Sequence, residues 1–240
     1  MKRLLTKSSG IQTNWIWLFA LGLLTAITAM AEPTNAPAFS LEEVSRAMGK
    51  AKTVFTRFVQ ERHLSLFNEP LRSEGVLCFE KPGRVRWEIT SPYKSILVSD
   101  GSGVSQFEWM DEKWKKLDAG LASAMQAVIA QIAAVMEGRY ASESRDYIVS
   151  LAANPDGPVI TLVPRNETMR KMMQAIEVHL AADLKGTRRI VLRETGGDFT
   201  DIRFSEQVIG LELPVRTFDR NAPLALADIV QAAGKSKAQH

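Results

Sequence analysis

The sequence predicts a mainly β protein with two helices and one antiparallel sheet of about ten or eleven strands. Short segments in which apolar and polar residues alternate follow one another, and turns rich in Pro, Gly, Asn and Asp separate them. One long stretch, Ala119–Met136, departs from this pattern because it is rich in Ala, Met, Ile and Leu and carries no charged residue. These two observations indicate a sheet of short-connected strands accompanied by a largely buried helix.

The clearest strand pair is Gly75–Ile89, with a turn at Lys81-Pro82-Gly83. Proline presets φ for an early turn position and glycine allows the chain to reverse. After the turn, Val85, Trp87 and Ile89 share one face, and three charged residues share the other. The sequence therefore predicts a strand with one apolar face and one solvated face. Whether the apolar face is a filled core or an open groove is the functional question.

The remaining elements follow in order along the chain. A capping box, Ser40 to Glu43, opens a helix that runs to about Lys50. Strands are predicted before and after the central pair and again after the apolar helix, which ends at Glu137-Gly138. The segment around Met169, Met172 and Met173 fits a helix or a strand. The predicted strands are Thr53–Leu66, Leu71–Phe79, Val85–Ile89, Ser95–Ser99, Val104–Trp109, Trp114–Leu117, Asp146–Leu151, Pro158–Val163, Ala175–Leu180, Thr187–Arg193 and Phe199–Ile209.

The N-terminus has the layout of a cleaved secretory signal peptide. A basic start with Lys2, Arg3 and Lys7 precedes an apolar run from Trp15 to Ala29 and an A-x-A site before Glu32. The run is shorter than a membrane-spanning helix needs. We therefore expect residues 1–31 to be removed and the protein to be periplasmic. Residues 32–240 are expected to form a single domain with a C-terminal tail that is mobile at its end.

Charge and cysteine content narrow the functional classes. The whole chain has 30 basic and 27 acidic residues, and loss of the three basic residues of the signal leaves 27 of each. A neutral domain gives no support for nucleic-acid binding. Cys78 is the sole cysteine, so an exported chain would have no internal disulfide, and a small apolar core residue is the expected role.

No pattern in the sequence indicates catalysis. There is no nucleophile elbow, no phosphate-binding glycine loop and no metal-ligand spacing. His63 and His179 lie in separate predicted strands, where a hydrogen-bonded or exposed histidine is the simplest interpretation. We expect a protein that is not an enzyme and that needs no cofactor and no metal.

An apolar binding cavity is the remaining hypothesis. Methionine side chains repack around ligands of varying shape, and several lie near the predicted helix. A one-sided sheet beneath an almost wholly apolar helix would enclose a hydrophobic cavity with that helix as its lid. The residues expected to line this cavity are Phe58, Val85, Trp87, Met125, Val128, Ile129 and Ile132. An ordinary filled core is the alternative.

Several pieces resemble the LolA family of periplasmic lipoprotein carriers. They are Phe58-Val-Gln60, Gly75-x-Leu77-x-Phe79-x-Lys81-Pro82 with Trp87 five residues on, Pro92, and Leu97-Val-Ser-Asp-Gly101. The resemblance implies a strongly curved, incomplete β-barrel closed by an apolar helical lid. It also implies acylated cargo, an inner-membrane transporter, an outer-membrane acceptor and a monomeric carrier.

The resemblance assigns a lid contact to the position of Lys81, where the family has Arg. The lysine ammonium is a compact charge, whereas the arginine guanidinium is planar and donates parallel hydrogen bonds. Arg84 is therefore a second candidate for this contact. The presence of Lys in place of the family's Arg at position 81 indicates a divergent member of the family. Two alternative functions stay open at this point: a carrier accessory to a lipid or polyene biosynthesis and export system, and a lipoprotein-sensing regulatory module that binds a membrane protein.

Overall fold

The computed structural model describes residues 39–117, 130–140 and 145–237. All of them belong to the second of two compact units into which the chain divides, Asn35–His240. The predicted signal peptide lies outside the described residues and stays a prediction. In the described part of the chain, no helix is both long enough and apolar enough to cross a membrane.

In the residues that the structure describes, eleven strands form one antiparallel sheet, in agreement with the predicted fold class. The strands are β1 Thr53–His63, β2 Leu71–Glu80, β3 Arg84–Ser91, β4 Ser95–Asp100, β5 Val104–Met110, β6 Lys113–Lys116, β7 Tyr147–Ala152, β8 Val159–Pro164, β9 Met173–Leu180, β10 Thr187–Glu194 and β11 Phe199–Ile209. Their spatial order is β6-β5-β4-β3-β2-β1-β11-β10-β9-β8-β7. Two meanders therefore meet where β1 pairs with β11, and the sheet stays open as an incomplete barrel.

Within the described ranges, four α-helices and one 3-10 helix accompany the sheet. They are α1 Leu41–Met48, the described part of α2 at 130–136, α3 Glu167–Arg170, a 3-10 helix at Val215–Phe218, and α4 Leu226–Lys237. The predicted capping box is present at α1, where Ser40 and Glu43 exchange backbone-to-side-chain hydrogen bonds. The ambiguous methionine segment forms the single turn α3 and then the start of β9.

The two faces of the sheet carry separate apolar cores. The inner face is the one on which α1 and α2 pack, and its cluster contains Phe58, Val85, Trp87 and, across the sheet, Ile176. The outer face carries a second cluster that includes Phe55, Val76, Cys78, Phe107, Phe218 and Ile229. The chain after β11, residues 211–230, supplies its cover and is called the C-terminal strap below.

The strap overturns the prediction of a solvated face on β3. Arg86 has no exposed surface and Glu88 is 5 % exposed. Both lie under the strap, where Arg86 donates hydrogen bonds to the carbonyl oxygens of Thr217 and Leu224. Charged residues at alternate positions of β3 predict that this face is exposed to solvent. A segment more than 120 residues later in the chain covers it instead. The helix α4 was also not predicted, and its Ile229 is fully buried.

Candidate functional site

The centre of the inner face is a stacked pair of aromatic rings. Phe58 on β1 and Trp87 on β3 have ring centroids 4.0 Å apart and planes inclined by 30°. Gly75 on β2 lies directly opposite Phe58 in the sheet register. A Cβ atom on Gly75 would lie 2.6 Å from the Phe58 ring and 2.0 Å from the Glu88 carbonyl oxygen. The missing side chain at Gly75 is therefore what lets the Phe58 ring cross β2 and reach Trp87.

The inner face is apolar and closely packed. Phe58 and Val85 are buried, and Trp87 keeps 9 % of its surface exposed. The two helices contribute to the same cluster, α1 through Val44 and Met48 and α2 through Ala133, Val135 and Met136. Ile132 is partly buried and packs against this cluster. The structure thus brings together the predicted lining residues Phe58, Val85, Trp87 and Ile132.

Three predicted lining residues cannot be placed. Met125, Val128 and Ile129 lie outside the described residues, as does most of the predicted apolar helix. The described part of α2 is buried on one side only, since Ala130 is exposed while Ala133, Val135 and Met136 are buried. The turn that follows it contains Gly138, whose φ of 69° belongs to the left-handed region that favours glycine.

The turn between β2 and β3 holds the ends of both inner-face helices. Lys81 Nζ donates a hydrogen bond to the carbonyl oxygen of Gly49, the residue that caps α1. The Gly83 N–H donates to Glu137 Oε1, just after α2, over 2.9 Å. We call these two contacts the turn latch. The predicted lid residue Lys81 therefore contacts the end of α1, and a neighbouring backbone N–H reaches the end of α2.

The two helix ends also touch each other. A Cβ atom on Gly138 would lie 2.7 Å from the carbonyl oxygen of Ser45 and 2.9 Å from the Gly49 nitrogen. Such distances leave no room for a side chain, so glycine at 138 allows α1 and the end of α2 to meet. The loss of one latch contact would therefore disturb both helices.

Arg84, the second candidate for a lid contact, lies elsewhere. Its guanidinium pairs with Glu80 over 2.7 Å and lies 4.6 Å from the ring centroid of Phe218 in the C-terminal strap. Alternation along β3 places Arg84 on the outer face together with Arg86. The structure thus separates Arg84 from the latch and joins it to the outer core.

Two buried groups have raised pKa values, the Cys78 thiol in the outer core and the Tyr140 hydroxyl of the inner cluster. Burial raises the pKa of the Cys78 thiol to about 12, so this thiol stays protonated and poorly reactive. Burial also raises the pKa of Tyr140, whose hydroxyl donates to the Val135 carbonyl oxygen over 2.7 Å and pins the end of α2. Within the described ranges, no group of three or more His, Cys, Asp or Glu side chains could hold a metal ion. The arrangement suits the burial of apolar groups.

Sequence reasoning missed two residues of the latch, Gly49 and Glu137, and the adjoining Gly138. Glu137 and Gly138 were interpreted only as a helix end, and Gly49 fell within the predicted first helix. A cap glycine and a terminal glutamate are common at helix ends, so nothing in the local pattern identifies the β2–β3 turn as their partner. Gly75 was noted as part of a family pattern, but the ring that crosses it follows only from the register.

Comparison with known proteins is consistent with this geometry. Residues 49–220 match the family model described as outer membrane lipoprotein carrier protein LolA. An outer-membrane lipoprotein carrier protein of Dechloromonas aromatica is 25% identical over 209 residues, which cover 87% of this chain and 95% of the relative. One from Chromohalobacter salexigens is 21% identical and covers 91% of this chain and 98% of the relative.

Among solved structures, a LolA superfamily protein from Nitrosomonas europaea is similar with a TM-score of 0.39 and 11% identity, covering 75% of this chain and 98% of that one. The family match extends over both meanders, the described part of α2 and the start of the C-terminal strap. The resemblance found in the central hairpin is thereby confirmed. The chain belongs to the LolA family of outer membrane lipoprotein carrier proteins, as a divergent member.

Proposed function

We propose that this protein is a periplasmic carrier that binds the acyl chains of a lipoprotein, or of a related lipid, against the inner face of its sheet. In this proposal it receives cargo from an inner-membrane transporter and delivers it towards an outer-membrane acceptor. The observation that carries the proposal is the Phe58–Trp87 stack at the centre of an apolar face, covered by helices whose ends a single turn holds. The relatives named as carriers support it.

The energetics fit a carrier. An acyl chain that leaves a bilayer exposes its methylene groups at about 0.8 kcal/mol each, so a sixteen-carbon chain needs on the order of 12 kcal/mol of compensation. In the structure α2 occupies the inner face, where Ala133, Val135 and Met136 contact the cluster. Cargo and helix would then compete for the same surface. Binding is thereby weakened by the cost of displacing α2, which favours release.

A matched pair of substitutions on one helix tests the site. Ile132 packs against the inner cluster, whereas Ala130 lies two residues earlier and is exposed. We expect Ile132→Glu to abolish uptake of a fluorescent fatty acid, because a carboxylate would be placed against acyl chain. Ala130→Glu adds the same charge at the exposed position and should bind the probe as the unmodified protein does. Normal uptake by a folded Ile132→Glu variant would contradict the site.

Trp87 provides an independent readout. Replacement of Trp109 and Trp114 by Phe leaves Trp87 as the only tryptophan after the predicted signal peptide. If acyl chains displace α2 from the inner face, the emission of Trp87 should change in proportion to probe uptake. Unchanged emission at saturating probe would show that the ligand binds elsewhere.

A further inference from the structure

The two edges of the sheet differ in charge. Within the described residues, β6 and β7 are the outermost strands, and each has one strand neighbour. Three of the four residues of β6 are lysines, and Lys116 Nζ donates a hydrogen bond over 2.8 Å to the carbonyl oxygen of Arg220 in the C-terminal strap. β7 contains neither a charged residue nor a proline. Lysine and proline protect edge strands from pairing with another chain, so the sequence of β6 provides this protection and the sequence of β7 does not.

The charged network of the outer face stops two strands short of the β7 edge. From β9 to β1, ion pairs join neighbouring strands on this face: Glu177–Arg193, Asp201–Arg189 and Glu61–Arg203. Glu177 lies opposite Thr161 of β8, and Thr161 lies opposite Ser150 of β7. The outer-face residues of these last two strands are all uncharged. We call them the uncharged strip: Ile148, Ser150, Ala152, Val159, Thr161 and Val163.

The register shows which backbone groups of β7 point away from the sheet. The Arg165 N–H donates to the Asp146 carbonyl oxygen over 2.8 Å, which makes these two residues a hydrogen-bonded pair. Hydrogen-bonded and non-hydrogen-bonded pairs alternate along an antiparallel ladder, so Tyr147, Val149 and Leu151 direct their N–H and C=O groups away from β8. Arg165 Nε donates to the Tyr147 carbonyl oxygen over 3.1 Å. Val149 and Leu151 are therefore the residues that a further strand would engage.

We propose that β7 is a self-association edge, at which two copies of this chain pair their β7 strands antiparallel about a two-fold axis through Ser150. In this register Val149 of each copy lies opposite Leu151 of the other. Both residues direct their backbone groups outward, so each of these two pairs exchanges an N–H···O bond in both directions. Ser150 then lies opposite its own counterpart, as a non-hydrogen-bonded pair.

A second copy fits this edge because the strand is complementary to itself. On the outer face Ile148, which is 50 % exposed, lies opposite the small Ala152, and the two uncharged strips meet without placing a charge against a charge. On the inner face Val149 and Leu151 are partly buried against the inner cluster, and the partner strand covers more of their surface. A two-fold axis perpendicular to the sheet keeps inner residues opposite inner residues and outer residues opposite outer residues.

The overlap is short, so the dimer is weak. Five residues of each copy, 148–152, form the contact, which is less than the surface of about 800 Å² per partner in stable complexes. We expect a dissociation constant on the order of 10 to 100 μM. The family resemblance implies a monomeric carrier, and this association departs from that expectation. The proposal goes beyond the carrier function and does not depend on it.

Cysteine cross-linking tests the pairing and its register. Opposite residues of a non-hydrogen-bonded pair have Cα atoms about 4.5 Å apart, which a disulfide can bridge. Ser150→Cys should therefore form an intermolecular disulfide on mild oxidation. Thr161→Cys places the same thiol one strand further in, where its counterpart in the second copy is roughly 14 Å away, and should not cross-link. The native Cys78 is buried, and burial raises its pKa to about 12, so it does not compete.

Sedimentation velocity measures the association itself. The protein without residues 1–31 is run over a range of concentrations, and the unmodified chain should shift from monomer to dimer. Ile148→Lys places a charge in the uncharged strip of each copy and should raise the dissociation constant about tenfold or more. Met110→Lys adds the same charge beside the β6 edge, at a side chain that is 37 % exposed, and should leave the constant unchanged.

Three outcomes would overturn the proposal. One is a protein that stays monomeric at about 1 mM, well above the expected constant. Another is a dimer in which Thr161→Cys cross-links as readily as Ser150→Cys. The third is a dimer that Ile148→Lys does not weaken, since the copies would then meet at another surface. Far-UV circular dichroism and fatty-acid uptake by the monomer should be normal in all variants, so a failure of pairing is distinguishable from a failure of the carrier function.

Discussion

Arg86 and Glu88 form an ion pair inside the outer core, with Arg86 Nη2 2.7 Å and Nε 3.0 Å from Glu88 Oε2. Both residues belong to β3, and both are covered by the C-terminal strap. Arg86 also binds two strap carbonyl oxygens, so the pair joins the sheet to its cover. Burial raises the pKa of Glu88, and the neighbouring guanidinium opposes that rise only in part.

Loss of Arg86 should be strongly destabilising. Arg86→Met leaves the Glu88 carboxylate buried without its partner, and the expected loss in the free energy of unfolding is about 3–5 kcal/mol. The double variant Arg86→Met/Glu88→Leu should recover much of this loss. As a control, Arg57→Met breaks an exposed pair with Glu206 and should cost about 1 kcal/mol or less. Urea unfolding measures all three, and equal losses for Arg86→Met and Arg57→Met would contradict a buried pair.

The contact between Asp100 and Arg220 of the strap should make the stability of the protein depend on pH. Burial raises the pKa of Asp100, but hydrogen bonds from Arg220 and Ser102 and the charge of Arg220 outweigh burial and hold it well below the ordinary 3.8. Arg220 belongs to the strap, and its Nε atom lies 2.8 Å from Asp100 Oδ2. A lowered pKa contributes stability that is present above the ordinary pKa and is lost as the pH falls through the folded value.

Comparison with Asp100→Asn isolates this contribution. The unmodified protein should have the higher thermal midpoint at neutral pH, and the two midpoints should converge in strong acid. A difference that persists undiminished at the lowest pH would show that charge is not the cause.

The turn latch should control access to the inner face. Lys81→Met removes the hydrogen bond to Gly49, and Glu137→Ala removes the acceptor for the Gly83 N–H. Each hydrogen bond contributes about 1 kcal/mol, so the loss of both should make opening of the latch easier by about 2 kcal/mol, and the double variant should take up a fatty-acid probe faster by up to roughly thirtyfold. Stopped-flow fluorescence measures this rate. Lys52→Met, an exposed lysine next to α1, serves as a control and should leave it unchanged. Equal rates in the double variant and the control would mean that the latch does not limit entry.

Gly75→Ala should separate the two stacked rings. The added methyl group would overlap the Phe58 ring and the Glu88 carbonyl oxygen, and the expected cost is about 1–3 kcal/mol. The emission of Trp87 should shift as Phe58 moves away. Gly234→Ala in α4 meets no atom within 4 Å and should stabilise the protein by about 0.5–1 kcal/mol. Unfolding by urea distinguishes the two, and a neutral Gly75→Ala would show that the ring has room to move.

The sequence was sufficient to predict the strands and the antiparallel pairing of consecutive strands because each hairpin is a local event, whereas the β1–β11 pairing that joins the two meanders was not predicted. Alternation and turn residues locate each one, as with Asp111 and Glu112, which both have positive φ in the β5–β6 turn. The aromatic residues of the inner face were predicted for the same reason. The Lys81–Gly49 contact and the cover over Arg86 join segments distant in sequence. Local patterns carry no information about such pairings, and they follow only from the assembled fold.

The two-sided sheet separates the requirements of activity from those of folding. In many proteins a surface that must open for function belongs to the only hydrophobic core, so activity and stability compete. Here the strap covers a second core on β1, β2, β4 and β5, and this cluster contains no residue of α1 or of the described part of α2. In the proposed carrier function, mutations that adapt the inner face to a new cargo would therefore be tolerated at a lower cost in stability. The same chain could diversify its ligand while its scaffold stays constant.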